Sequence, residues 1–319
     1  MNNLKLQIAD IIIQMRSKYA LEPLDDEKKM NFRFTNFLYH GRKKADITID
    51  VNIVKELPKG LGAKDIFITY HFQNGSENWR IAKKGKYYIY KSPMEDKKQF
   101  MRVNGTYDKV TAYLLPKNEK NIFDEKKQKF IKKQKGYTWN ISDIIYDFLQ
   151  VLLINYLALT KKDGIFVHGM GVKDVNNNGL LFTGKSGAGK STLAKIYHKH
   201  SKALVLNDDR IIARKINNEF YIYGSPWHGD FSDYLKSHID RAKLRRVFFL
   251  QKAKSNSIKN VSVGESFKYL YPAIFPTFWD REGIETITSF LSELLTKVSC
   301  FRLKFEKNKS VIDFVRKIK

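Results

Sequence analysis

The 319-residue chain is 43% hydrophobic and 13% aromatic, a globular composition on a chain long enough for two cores. Its one cysteine, Cys300, excludes an internal disulfide and a cysteine-built metal cage, and suits a reducing cytoplasm. The net charge of +25 is spread evenly, 29 basic and 18 acidic residues in 1–160 against 29 and 15 in 161–319, and 45 of the 58 basic residues are Lys. Nucleic-acid sites concentrate charge and favour Arg forks, so no specific nucleic-acid partner is expected; a solvated basic surface would favour an acidic partner.

The opening stretch, MNNLKLQIADIIIQMRSKYA, has no basic segment ahead of a clean apolar run and no small-residue cleavage site, so it does not read as a signal peptide. Residues 1–115 read as mostly β with one or two helices: 45–54 alternates, and 65–72, 86–91 and 110–116 carry aromatic and β-branched residues between Gly- and Asn-containing breaks. His40 and His71 stand alone and read as structural or exposed. The charge-dense stretch 117–136 reads as a linker or exposed helix. It divides an N-terminal α+β domain, 1–135, of unassigned role, from a second domain, 136–319.

The most apolar segment, IIYDFLQVLLINYLALT (144–160), is interrupted by Asp147, Gln150 and Asn155 and is short for a bilayer span. It predicts a buried helix starting near 140–142, and no membrane partner. From 164 the texture changes. GIFVHGMGV predicts a strand, 173–179 a tight turn with Asn178-Gly179 as its hairpin signal, and GLLFTG a second strand. A helix over 190–201 and a strand over 203–207 follow. Strands at 219–224 and 246–253 and a helix near 284–298 complete the domain.

Between the second strand and its helix lies GKSGAGKS, 184–191, which fits G-x-x-x-x-G-K-[ST] at every fixed position. Gly184, Gly187 and Gly189 let the backbone turn sharply and bring N–H groups to phosphate oxygens. Lys185, Ser186, Ala188 and Thr192 complete the nucleotide-binding stretch, and the helix adds its positive end. Lys190 would neutralise the β/γ-phosphates and the Ser191 hydroxyl would sit on Mg²⁺. The implied ligands are ATP and Mg²⁺.

Asp208 and Asp209 follow the next strand. Parallel strands joined by a crossover helix end at one edge of a sheet. If the two strands are neighbours, the Asp pair faces the γ-phosphate. One carboxylate can then hold Mg²⁺ and the other can take a proton from an attacking hydroxyl; an Asp-Asp turn that only caps is the structural alternative. His168, on the preceding strand, is placed to donate to a phosphate oxygen or tune an Asp. In GSPWHGD (224–230), Asp230 could complete the metal shell, while Trp227 could equally anchor a core. Arg210 and Arg214 are available for anion contacts.

The segments VHGMGV, FTGKSGAGKSTLA, LNDDR and GSPWHGD, in this order and spacing, resemble the HPr kinase/phosphorylase family, whose P-loop architecture ATP-dependent phosphoenolpyruvate carboxykinase shares. The resemblance covers about 164–260 and implies a P-loop HPr kinase/phosphoenolpyruvate carboxykinase-like mixed sheet with helices, preceded by the β-rich domain. It implies that Lys190 binds phosphate, Ser191 binds Mg²⁺, Asp208 is the general base, Asp209 assists, and His168 lies near the transferred phosphate. The family's Glu-x-Arg-Gly metal segment has no clean counterpart, the nearest acid being Asp230, and its late Gly-rich basic loop is not found. Kinase chemistry on a hydroxyl-bearing protein, peptide or small molecule follows, a serine among the acceptors, without HPr itself being implied. Hexamers are common in that family, so an oligomer is compatible.

Two other classes stay open. One is a small-molecule kinase of the adenylylsulfate-kinase type, whose glycine loop normally opens a compact domain instead of lying past mid-chain. The other is a non-catalytic nucleotide-binding regulatory module, for which a base would be superfluous. No L-S-G-G-Q-like segment supports an ABC-type ATPase, and the chain is short for a carboxykinase.

Overall fold

The computed structural model describes residues 1–18, 20–22, 34–54, 58–59, 61, 63–70, 77–91, 98–115, 138–227, 229 and 239–318. It is a mixed α/β protein with two large mixed sheets and few helices. The chain forms two compact units, 1–24 with 38–156, and 25–37 with 157–319. The charged stretch 117–136 and His71 lie outside the described residues. Among those residues no helix is long and apolar enough to cross a membrane.

The first unit holds strands β1 (Asn2–Ile8), β2 (Ile11–Ser17), β3 (Ala20–Glu22), β4 (Ile47–Ile53), β5 (Asp65–Tyr70), β6 (Glu77–Lys84), β7 (Tyr87–Lys91), β8 (Lys98–Asn104), β9 (Lys109–Leu115) and β10 (Thr138–Asn140), then helix α1 (Ile141–Asn155). Eight of these strands form one sheet in the order β1-β2-β4-β9-β8-β7-β6-β5, and β10 pairs with β3. The alternation at 45–54 places Ile47, Ile49 and Val51 inside β4. The polar break Asn155 in the apolar helix is buried, and its amide N–H groups are paired, donating to the Tyr90 hydroxyl at 3.0 Å and to the Val151 carbonyl at 2.8 Å, while its Oδ1 has no partner among the described residues.

The second unit continues with β11 (Gly164–Lys173), β12 (Asn178–Thr183), α2 (Lys190–His200), β13 (Leu204–Asn207), β14 (Arg210–Ile216), β15 (Glu219–Tyr223), β16 (Arg241–Lys252), β17 (Ser257–Asn260), α3 (Val263–Leu270), α4 (Arg281–Lys297), β18 (Ser299–Phe305) and α5 (Ser310–Arg316). β12 pairs β11, β11 pairs β14, β14 pairs β15, β15 pairs β16, and β16 returns to β12, so five strands close a ring. The central strands are apolar on both faces, as strands covered on both sides must be. Leu181, Val247 and Phe249 pack with Ile287, Leu291 and Leu294 of α4. Leu180, Phe182 and Phe248 pack with Leu193, Ala194 and Tyr197 of α2.

Two expectations shift. The hairpin between β11 and β12 turns at Asp174–Asn177, before the Asn-Gly pair, because the Asp174 carboxylate takes the N–H groups of Asn176 and Asn178 at 2.8 Å and Asn177 carries the positive φ of 62°. Strands β12 and β13 are not neighbours. The long β11 lies between them, antiparallel to both, with Gly169 opposite Thr183 and Gly171 opposite Asn207. Both nevertheless run the same way, so their carboxyl ends still reach the same edge.

Candidate functional site

At that edge the glycine loop leaves β12. Gly187 and Gly189 have φ of 76° and 107°, conformations that a side chain resists. At Gly189 a Cβ would also stand 2.7 Å from the Phe305 ring. Helix α2 starts at Lys190 with neither a capping side chain nor an acidic residue in its first turn, so its positive end is not offset locally. Lys190 is 8% exposed and donates to the Gly184 carbonyl at 3.1 Å. Burial pushes its ammonium below the ordinary value; the charges of Asp209 and Asp208 work against that shift. A buried cation at the foot of an uncapped helix suits a phosphate, and Ser191, Thr192, Lys185, Ser186 and Ala188 belong to the same loop and first turn.

The acidic turn arrives from β13. Gly169 N–H donates to the Asp209 carbonyl at 3.0 Å, tying the turn to β11. His168, one residue earlier, stands with Nε2 3.0 Å from Asp209 Oδ1, and Arg210 Nη1 is 2.7 Å from Oδ2. Burial works to raise the Asp209 carboxyl, but His168, Arg210 and Lys190 outweigh it and hold it below the ordinary range. Asp208 is 2% exposed and accepts the Gly229 N–H at 3.0 Å. A Cβ on Gly229 would stand 3.2 Å from Asp208 Oδ2 and 3.3 Å from Asp209 Cβ, which is why the smallest residue sits there.

The structure therefore brings together His168, Lys190, Asp208, Asp209 and the glycine loop. Asp230 and His228 lie outside the described residues. Trp227 is buried, with its ring against Phe34 and Phe166. Arg214 is spent on a two-pronged ion pair with Asp163, and Arg210 lies over the Phe275 ring at 4.5 Å. Among the described residues no group of three or more His, Cys, Asp and Glu is placed to hold a metal. Mg²⁺ commonly takes only one or two protein ligands besides phosphate and water; of the residues expected to hold it, Ser191 and Asp209 are described, and both Asp209 oxygens are paired, with His168 and with Arg210.

Sequence reasoning overlooked Asn207. Its Oδ1 accepts the N–H groups of Asp209 and Arg210, both at 2.8 Å, and its amide donates to the carbonyls of Ser225 and Trp227, both at 2.9 Å. This one buried side chain shapes the acidic turn and clips it to the loop that carries Gly229. An Asn ahead of a strand-ending turn is a recognised local signal; its two distant carbonyl partners are not. Ser225 adds a 2.6 Å bond from its hydroxyl to the Arg210 carbonyl.

Comparison of the sequence with protein-family models and with curated proteins found no match to either.

Proposed function

We propose that this chain is an ATP-dependent phosphotransferase of the HPr kinase-like type, moving the γ-phosphoryl group to a hydroxyl of a protein, peptide or small molecule. The observation that carries the reading is the meeting of two features at one sheet edge. A glycine loop opens a helix with buried Lys190, and a pair of aspartates from another strand lies within its electrostatic reach. Binding a phosphate needs the first feature only. A phosphoryl transfer also needs a proton acceptor and a group that fixes charge.

In this reading the loop N–H groups, the α2 N-terminus and Lys190 hold the phosphates. Ser191 and Asp209 are the residues that would hold Mg²⁺, whose charge would offset that of the phosphates. Asp208 accepts the acceptor's hydroxyl proton as the new O–P bond forms, and the bond from phosphorus to the β–γ bridging oxygen breaks to leave ADP. His168, whose Nε2 is taken up by Asp209, would orient that carboxylate at the same edge, near the transferred phosphate. The basic surface suits an acidic or phosphorylated acceptor.

One observation favours a second reading, a nucleotide-binding module without transfer: Asp208 is 2% exposed and engaged by Gly229 N–H, so an acceptor reaches it only if its surroundings open. The two readings part in one experiment. The chain is incubated with Mg²⁺ and γ-labelled ATP, with and without host extract, beside Asp208→Asn. Label that enters a protein, peptide or metabolite and is lost in the variant supports transfer. Nucleotide binding that is equal in both proteins, with no transfer in either, leaves the module.

A further inference from the structure

The opposite end of β12 carries a different arrangement. The turn Asn217–Asn218, with φ of 48° and 67°, delivers Glu219 to the start of β15. Strand β16 pairs with β15 up to Lys243 and takes up β18 at Arg246. Along its other edge the register with β12 skips one residue: Gly179 faces Leu244, Leu180 faces Arg246, and Arg245 is the bulged residue between. Bulges re-aim side chains, and Arg245 is exposed. Where β15 and β18 part from β16, a cavity of about 640 Å³ opens, lined by Asn178, Glu219, Lys243, Arg245, Arg246 and Lys297 among others.

Four cations thus surround one hollow that holds one carboxylate. Lys243 stands 2.7 Å from Glu219; Lys297 is 2.8 Å from Asn218 Oδ1 and from Glu293 Oε1; Arg246 donates to the Ile318 carbonyl at 2.7 Å. Glu293 is also paired by Lys215 at 2.7 Å, so with both counted five positive charges meet two negative ones, a surplus of three. The Lys243 hydrogen bond first, then, against the effect of burial, the charges of Lys243, Arg245 and Lys297 hold the Glu219 carboxyl below its ordinary value. No glycine-loop residue lines the hollow. The strand from Asn178 to Thr183 separates the two places by roughly 16 Å at about 3.3 Å per residue.

We propose that this fork is a second anion site, distinct from the glycine loop, that takes one small ligand carrying two or more phosphate or carboxylate groups. Its volume lies within the range of small-ligand pockets, about 300–1,000 Å³. Its cations ring a single hollow instead of tracking along the surface as a polymer's backbone requires. Arg245 supplies a planar fork of donors suited to either oxyanion, and Glu219 occupies the place of a resident competitor.

The test is calorimetric titration of the full chain at about 150 mM salt, with inorganic pyrophosphate in one arm and citrate in the other. The proteins are wild type, Lys190→Met, Arg245→Ala and Glu219→Gln. One equivalent should still bind when Lys190 is replaced. Its Kd should rise about tenfold in Arg245→Ala, the loss of one charge-assisted contact, and fall in Glu219→Gln, a gain that damage to the fold would not produce. Binding in the pyrophosphate arm alone identifies phosphate as the ligand group, in the citrate arm alone carboxylate, and in both the shared charge. The proposal is overturned by no binding in either arm, or by binding that follows Lys190 and ignores Arg245. It is equally overturned by several weak equivalents insensitive to both surface variants.

Discussion

His168 Nε2 and Asp209 Oδ1 stand 3.0 Å apart, joining the middle of β11 to the turn after β13. The Asp209 carboxyl is held below its ordinary value of 3.8 by His168, Arg210 and Lys190 against the opposing effect of burial. A carboxyl depressed on folding contributes stability that is complete above its unfolded value and disappears as pH falls through its folded value. Asp209→Asn should therefore be less stable than wild type at pH 7 in Mg²⁺-free buffer, and the gap should close below pH 3.8. Urea midpoints at pH 7, 4 and 3 measure it; a gap that is unchanged at the lowest pH would show that the ion pairs carry none of the difference.

Asn207 should prove a structural keystone of the site. Asn207→Ala strands two buried carbonyls and two N–H groups that its side chain now satisfies. At about 1–3 kcal/mol for a stranded buried group, partly relieved by relaxation, the expected loss is about 2–4 kcal/mol. Chemical denaturation reads this directly. A loss below about 1 kcal/mol, the size of one ordinary net hydrogen bond, would mean that the acidic turn holds its shape without the clip.

Much of this was legible in the residues. The runs that form β12 and the second half of β16 are apolar on both faces, and the glycine signature sits where strand gives way to helix. Strand order was not legible, because pairing between distant segments decides it: nothing local says that β11 would insert between β12 and β13. The hairpin turn moved for a local reason, since Asp174 captures two amides that an Asn-Gly turn would have left to the backbone. Asn207 and Arg245 show the same limit. Each residue type is ordinary for its place, and its role depends on which carbonyls or cations the fold brings opposite.

The two left-handed glycines of the loop should respond differently. A Cβ on Gly187 meets open space, so Gly187→Ala incurs only the backbone cost of a left-handed alanine, about 1 kcal/mol. A Cβ on Gly189 meets the Phe305 ring at 2.7 Å, and Phe305 is fully buried, so Gly189→Ala adds overpacking and should cost about 3 kcal/mol. Equal unfolding midpoints for the two variants would remove Phe305 as the reason for glycine at 189.

Cys300 offers a probe of the second unit's sheet. It is 7% exposed on β18, opposite Val247 of β16, and its thiol contacts the Val298 carbonyl. Burial pushes the thiol up to about 11 from an ordinary 9.0, with Ser266 opposing weakly. At pH 8 the reactive thiolate is then roughly a thousandth of the population, against about a tenth for a free thiol of that ordinary value, so ionisation alone slows alkylation about a hundredfold. Shielding by neighbours slows it further, and the residual rate tracks opening of the β16–β18 pair. Iodoacetamide modification, followed by mass, should be at least that much slower in buffer than in urea at the same pH. A native rate matching the unfolded one would place Cys300 in contact with solvent and refute the pairing that buries it.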